Sequence, residues 1–282
     1  MRAALLIVSA SLAAPAWAQT GPSERPSAPR HPELSYDLRI DLPLVVGGYV
    51  TWSTLQALNR QLAASDCHWC DEHVNGLDRS VRSALRWSSN RDLAMLLSDV
   101  GANTLVPAAT VGLSAILAGY DKRFASVPVD LIVIAEAVEA AGIVTQVVKY
   151  SVGRLRPDAR DIPPAERPHD SKGNDAYVSF WSGHTSYAFS LVSAAGTVAW
   201  MRRYPGYQWI WASGLTIATT TAYLRIAGDK HYFTDVLSAA VSGAAIGFFV
   251  PYLFHRPVRG PVAFRPSIYP VAGGAVLTLD LL

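Results

Sequence analysis

The sequence predicts an all-α fold: a transmembrane helical bundle of five to six long apolar helices, with its polar chemistry gathered at one end. Three observations predict it. Half of the 282 residues are hydrophobic and only 16% are charged, against about 25% charged in ordinary soluble domains. Five long segments, residues 100–120, 127–148, 185–201, 207–224 and 236–254, are mainly apolar, and each has about the length, roughly 17 to 25 residues, that a helix needs to cross a bilayer. Three short polar islands stand at the ends of those segments. A soluble all-helical core with long buried helices is the alternative.

Taken in order, residues 1–18 read as a secretory signal peptide: Arg2, an apolar run over 3–14, and the small-x-small site Ala16-Trp17-Ala18. A retained membrane anchor is the other reading. Residues 19–34, rich in Pro, Ser and charge, read as a flexible linker. Residues 35–97 form an N-terminal interfacial and helical region. Its first apolar stretch, 42–58, is interrupted by Gly47, Gly48, Thr51, Ser53 and Thr54. Further on, Leu77, Val81 and Leu85 recur at helical spacing between arginines, as in an amphipathic surface helix. Cys67 and Cys70 are the only cysteines. Export favours a local disulfide between them; zinc held with His68 and His73 is the competing reading, short of a full ligand set.

Residues 98–256 form the helical core. Four of its five apolar segments carry no charge; the second holds Asp130, Glu136 and Glu139, which should face the bundle interior or a wet cavity. Gly, Ala, Ser and Thr are abundant, as close helix packing requires. Residues 158–180 form a long polar connector, a candidate lid. Residues 257–282 are a tail with an alternating end and no assigned role.

Loop charges orient the spans. Lys122 and Arg123, Arg202 and Arg203, and Arg256, Arg259 and Arg265 fall at alternate ends, which the positive-inside rule places in the cytoplasm. The islands then face outward, into the periplasm of a bacterial-type envelope, provided that residues 42–58 lie at the interface without crossing. A soluble periplasmic protein is the alternative. The net charge of +2, without a basic stripe, gives no sign of a nucleic-acid partner.

The first island runs from Lys149 to Arg156 and Pro157, the second is Trp181-Ser182-Gly183-His184, and the third holds Arg225, His231 and Asp235. Each alone is a common surface feature; together on one side they form a phosphate-handling set. Lys149, Arg156 and Arg225 offer cations for phosphoryl oxygens. Ser182 and Gly183 stand at an expected helix start, where free N–H groups attract an anion and Ser182 can cap. His231 and Asp235 are four apart, so a helical turn would let the carboxylate orient the imidazole. That favours His231 as nucleophile and leaves His184 as general acid.

These residues resemble the type 2 phosphatidic acid phosphatase and vanadium haloperoxidase superfamily. Lys149, Arg156 and Pro157 match its first motif; Ser182, Gly183 and His184 match its second; Arg225, His231 and Asp235 match its third. Trp181 and Leu224 replace a Pro and a Ser of those motifs. The resemblance implies a phosphohistidine on His231 oriented by Asp235, protonation of the leaving oxygen by His184, and phosphate binding by Lys149, Arg156, Arg225, Ser182 and Gly183. It implies no metal and no cofactor for hydrolysis, and a lipid phosphate or pyrophosphate at the membrane as substrate. A secreted non-specific acid phosphatase, a vanadate-dependent haloperoxidase and a non-catalytic envelope protein are the alternatives.

Overall fold

The computed structural model describes residues 32–70, 74–163, 166, 175–257, 264–271 and 274–281. The expected signal peptide over 1–18, most of the linker, His73 and the middle of the 158–180 connector lie outside them. Helix α1 is Leu38–Ala57, followed by the single turn α2, Asn59–Leu62, and by α3, Gly76–Leu85. Helix α4, Arg91–Val100, continues through wider π-helical turns at Gly101–Leu105 and Ala108–Gly112 into α5, Leu113–Tyr120. The long helices α6, Val127–Val152, α7, Gly183–Arg202, α8, Tyr207–Ala227, and α9, Phe233–Phe254, complete the bundle.

Local chemistry sets these boundaries. Pro128 stands in the first turn of α6, where its missing N–H costs nothing. Gly153 ends the helix with a φ of 57°, the left-handed position that favours glycine. A Cβ there would also lie 3.0 Å from the His68 ring. Gly206, with a φ of 81°, opens α8.

Helix α7 is the centre of the bundle and packs on α6, α8 and α9. Its small residues allow that on every side: Ala188, Ser190, Ala194, Ala195 and Thr197 are buried. Gly243 and Gly247 of α9 meet the α7 backbone at Ser186 and Ser190, the close approach that small residues permit in apolar surroundings. Three helical stretches, Arg91–Tyr120, Phe124–Val152 and Phe233–Phe254, are long and apolar enough to cross a membrane. Helices α7 and α8 are of similar length and carry more Ser and Thr. Large apolar side chains stand exposed on the bundle surface, among them Ile116, Trp209, Leu237, Val241 and Phe249.

Asp130, Glu136 and Glu139 turn inward as expected. Arg202 and the Tyr204 hydroxyl both bond Asp130, at 2.8 and 2.7 Å. Arg202 and Arg123 also clasp Glu33, at 2.6 and 2.7 Å. The last residues of the expected linker are therefore docked: Glu33 is ion-paired and Leu34 is buried.

Helix α1 covers the stretch expected at the interface, residues 42–58, up to Ala57. It runs lengthwise beside α6 and in the same direction. Asp41 lies near Glu136, Trp52 packs against Gly142, and the Leu55 carbonyl accepts from the Tyr150 hydroxyl at 2.6 Å. It begins at the Arg123–Arg202 end and finishes at the end that carries Gly153.

Helix α3 is the expected surface helix, with Val81 packed against Ala222, Ile226 and Val236. Leu77 and Leu85 are exposed, whereas Asp78 is fully buried and Arg82 points inward. Charge pairs share the inward face with Val81, so an apolar stripe marks only part of it. The tail is a two-stranded antiparallel hairpin, β1 Phe264–Val271 and β2 Gly274–Leu281, with Phe264 opposite Leu281. It is the one sheet among the described residues of an otherwise helical fold.

A Cβ at Gly243 would fall 2.5 Å from the Ser186 carbonyl oxygen, and backbone cannot swing away as a side chain can. Gly243→Ala is expected to cost about 1–3 kcal/mol, read as a lower melting temperature in detergent. Val241→Ala, on the exposed face of the same turn, is expected to melt close to the wild type.

Candidate active site

The three islands meet where α6 and α8 end and α7 and α9 begin. Arg156, just past α6, is buried. Its Nε donates to the Asp175 carbonyl at 2.7 Å and its Nη2 to the Asp175 carboxylate at 2.9 Å. Its Nη1 donates to the Lys230 carbonyl at 3.0 Å and faces His231 Nε2 at 3.2 Å. Lys149, in the last turn of α6, brings its Nζ to 3.3 Å from where a Cβ on Gly183 would sit. Glycine there lets the ammonium reach the first turn of α7.

His231 lies in the turn before α9 and is buried. Its Nδ1 is 2.7 Å from the Ser179 carbonyl oxygen. A carbonyl only accepts, so Nδ1 carries the hydrogen and Nε2 keeps its lone pair. This corrects the expected role of Asp235, whose carboxylate is 3.8 Å from Nδ1. His231 precedes the helix, so the expected one-turn stacking does not form. Asp235 instead accepts from the Ser179 hydroxyl at 2.6 Å and from the Tyr232 N–H at 2.9 Å. It therefore holds the segment whose carbonyl orients His231. Burial first, and then the charges of Arg156, Arg225 and Lys149, push the His231 imidazole well below its usual value, so it is neutral.

Arg154 carries the layer beneath. Its guanidinium is paired with Asp235, with Asp78 at 2.8 Å, and with the Thr234 hydroxyl at 2.8 Å. The rings of Trp69 and Tyr232 lie over it at 4.4 and 4.3 Å, within cation–π range. Asp78 closes the set by accepting from the Thr234 N–H and hydroxyl, at 2.9 and 2.8 Å. The Cys67–Cys70 disulfide is present, and the loop it closes carries Trp69.

On the opposite wall, Asp99 Oδ1 is 2.9 Å from His184 Nε2 and 3.3 Å from Arg225 Nη1. Arg225 also donates to the Ser98 hydroxyl at 3.1 Å. Its Nε and the Trp181 Nε1 are buried donors without a partner among the described residues. Such groups cost free energy until an acceptor reaches them, which an anion in this site could do. Ser182 occupies the N-cap of α7, but its hydroxyl accepts from Thr185 at 2.9 Å and does not cap a backbone N–H. Asp229 lies behind the site and binds Arg82 through both oxygens, at 2.7 and 2.8 Å.

Every residue singled out from the islands is thus in or beside one site. Asp78, Ser98, Asp99, Arg154, Asp175 and Ser179 were not. Arg154 sits inside the first island and Asp99 is a carboxylate directly at the border of an apolar segment, so each had a local signal. Asp78, in an arginine-rich stretch 156 residues from its Thr234 partner, had none.

Residues 130–259 match the family model of the PAP2 superfamily. That span takes in all three islands and leaves Asp78 and Asp99 outside. The chain is 31% identical over 117 residues to lipid A 1-phosphatase of Porphyromonas gingivalis, covering 42% of this chain and 22% of that protein. It therefore spans about a fifth of the length of that curated relative. A solved structure similar to it is the first transmembrane PAP2 type phosphatidylglycerolphosphate phosphatase from Bacillus subtilis. That match is 18% identical, covers 74% of this chain and 95% of that one, and has a TM-score of 0.45.

Removing the Arg154 cation would leave Asp78 and Asp235 buried without it, at a cost of about 3–5 kcal/mol. Arg154→Met is expected to melt far below the wild type, and adding Asp78→Asn to recover part of the loss. Burial pushes the Asp78 carboxyl up, but the bonds from Arg154 and Thr234 outweigh it and leave the group below its usual value of 3.8. The stabilisation from Asp78 is then complete above about pH 4 and is lost as pH falls through the lower folded value. An acid melting series on wild type and Asp78→Asn checks this: the gap between them should close only below that pH.

Proposed function

Through residues 130–259 the chain belongs to the PAP2 superfamily, and we propose that it is a phosphatase acting on lipid phosphomonoesters or pyrophosphates through a phosphohistidine. The observation that carries this reading is His231, whose Nδ1 is held by the Ser179 carbonyl while Nε2 faces the Arg156 guanidinium. The nucleophile is neutral and oriented, and cations surround the position where phosphoryl oxygens would gather.

In the first step His231 Nε2 attacks phosphorus and the bond to the leaving oxygen breaks. The resting contact from Arg156 Nη1 to Nε2 gives way, and that donor turns to a phosphoryl oxygen. Arg225, Lys149 and the Gly183 amide hold the others, while the Ser182 N–H donates to the Asp235 carbonyl at 3.3 Å. His184, which takes up a proton as the phosphate dianion offsets the surrounding cations, gives that proton to the leaving oxygen. Its Nε2 is engaged by Asp99, so Nδ1 is the atom left for that transfer. In the second step His184 takes a proton from water, whose oxygen attacks the phosphohistidine and releases phosphate and neutral His231. The proton count closes without a metal or cofactor, and vanadate would compete for the same position.

Two features support a lipid-borne substrate. Apolar side chains cover the bundle surface, a surface suited to hydrocarbon. Trp69, Phe180 and Trp181 form an aromatic run beside the site, with ring centroids 5.6 and 5.9 Å apart. The Porphyromonas gingivalis relative is a lipid A phosphatase, which agrees.

We place the site end on the periplasmic face of an inner membrane, with Lys122, Arg203 and Arg256 at the opposite, cytoplasmic end. Because α1 starts at that opposite end, an outward site is incompatible with a leader cleaved after Ala18 if α1 crosses. A soluble periplasmic enzyme is compatible with cleavage after Ala18, and Arg2 with the Ala16-Trp17-Ala18 site favours that second reading. Sequencing the N-terminus of the purified protein separates the two: a start at Gln19 favours the soluble form, and an uncleaved chain favours the membrane form.

Phosphate release from phosphatidate and from an isoprenyl pyrophosphate in detergent tests the activity. His231→Ala is expected to abolish it, and unchanged turnover would overturn the mechanism. His184→Ala is expected to lose about 10²–10⁴-fold on an alkyl ester. The loss should be smaller on an aryl phosphate, whose leaving group needs less help from an acid.

A further inference from the structure

We propose that Asp41, Glu136 and His255 form a binding site for a divalent transition-metal ion of the Zn²⁺ or Mn²⁺ class. The site lies at the end of the bundle away from His231. Asp41 comes from the first turn of α1, Glu136 from the middle of α6, and His255 from the residue after α9. Their ligand atoms all lie within 4.8 Å of one another. Helix α9, with Asp235 at its start, separates this cluster from the catalytic turn by about 30 Å at 1.5 Å per residue. The inference is independent of the phosphatase reading.

Three observations ask for a cation. First, Glu136 is nine-tenths buried, with 10% of its side chain exposed, and its Oε1 is buried without a hydrogen-bond partner. Second, the charges do not balance. Glu139, one turn further along α6, is buried with an unpartnered Oε2, so three carboxylates gather in an apolar setting. Among the described residues no lysine or arginine is ion-paired with Asp41, Glu136 or Glu139; the one partner is His255. Third, the imidazole is oriented as a ligand. Its Nδ1 is 3.0 Å from the Ser35 carbonyl, so that nitrogen carries hydrogen, and Nε2, 2.7 Å from Glu136 Oε2, is the nitrogen an ion would take in place of any proton shared with that oxygen. Two acceptors face each other unless a proton or a metal lies between them. A proton neutralises one carboxylate and leaves the rest of the cluster negative. A dication meets Nε2, Glu136 and Asp41 together.

The supporting contacts are those that metal ligands use. The Ser35 carbonyl fixes the His255 tautomer, and the Asp37 N–H donates to Asp41 Oδ2 at 2.7 Å. Tetrahedral ligands about 2.0–2.1 Å from a metal stand roughly 3.3 Å apart, so side-chain rotations would close the cluster and open the His255–Glu136 contact. One imidazole with two carboxylates selects Zn²⁺ or Mn²⁺ over Mg²⁺, which favours oxygen ligands alone. The bound ion would clamp α1 onto α6 and α9.

The test is Zn²⁺ titration of chelator-washed, full-length protein by calorimetry and by melting temperature. One Zn²⁺ per chain and a raised melting temperature are expected for wild type and for His231→Ala. Glu136→Gln should bind at least tenfold more weakly. Asp41→Asn keeps its size and an acceptor for the Asp37 N–H, so it should fold yet show no Zn²⁺-dependent rise. No stoichiometric Zn²⁺ or Mn²⁺ on the wild type, or an unchanged Zn²⁺ response in both variants, would overturn the site. An equal melting response to Mg²⁺ would overturn the assignment to a transition metal.

Discussion

The buried guanidinium of Arg154 is the constraint on which the rest of the site depends. Among the described residues it is the one cation that touches both Asp78 and Asp235, so it fastens α3 to the start of α9. Desolvating three charges in one place is costly, and here the cost is offset by a nearly complete hydrogen-bond set. Thr234 and Asn75 fill the oxygens of Asp78, while Ser179 and Tyr232 fill those of Asp235. Two aromatic faces sandwich the cation itself. The Ser179 carbonyl that orients His231 is therefore fixed by a chain of bonds with Arg154 at its centre.

Much of the site was legible in the sequence because its parts are local. Each island spans a helix end, and the spacing within an island survives folding: Lys149 and Arg156 sit on one helix end, and Ser182 and His184 on the next. What could not be read was how distant segments complete those islands. Asp99 reaches His184 from α4, and Asp78 reaches Thr234 from α3. Hydrophobic periodicity marked α3 as a surface helix but could not show Asp78 and Arg82 turning inward, because ion pairs share its buried face with Val81. The relation of His231 to Asp235 was misread for a different reason: the helix starts two residues later than the four-residue spacing assumed.

The fold shows a similar division. The long apolar helices were plain from length and composition, and their small residues anticipated close packing around α7. That central helix is surrounded by protein, so it needs less apolar character than the helices outside it, and its length and lack of charge identify it. The lengthwise course of α1 was hidden because its glycines and hydroxyl residues weaken its apolar signal. In the fold those glycines are contact points: Gly48 lies against Glu139. The β-hairpin of the tail showed only as alternation in its second strand.

Asp99 is shared between the proposed acid and the arginine proposed to bind phosphate, and in that reading sharing makes the two roles thermodynamically linked. An anion that draws Arg225 toward itself loosens the arginine's grip on Asp99. The freed carboxylate then belongs to His184 alone and holds a proton there more firmly. By reciprocity, a protonated His184 competes for Asp99 and leaves Arg225 freer to meet an anion. Filling the pocket and loading the acid thus favour each other, and a single carboxylate from outside the three motifs couples them.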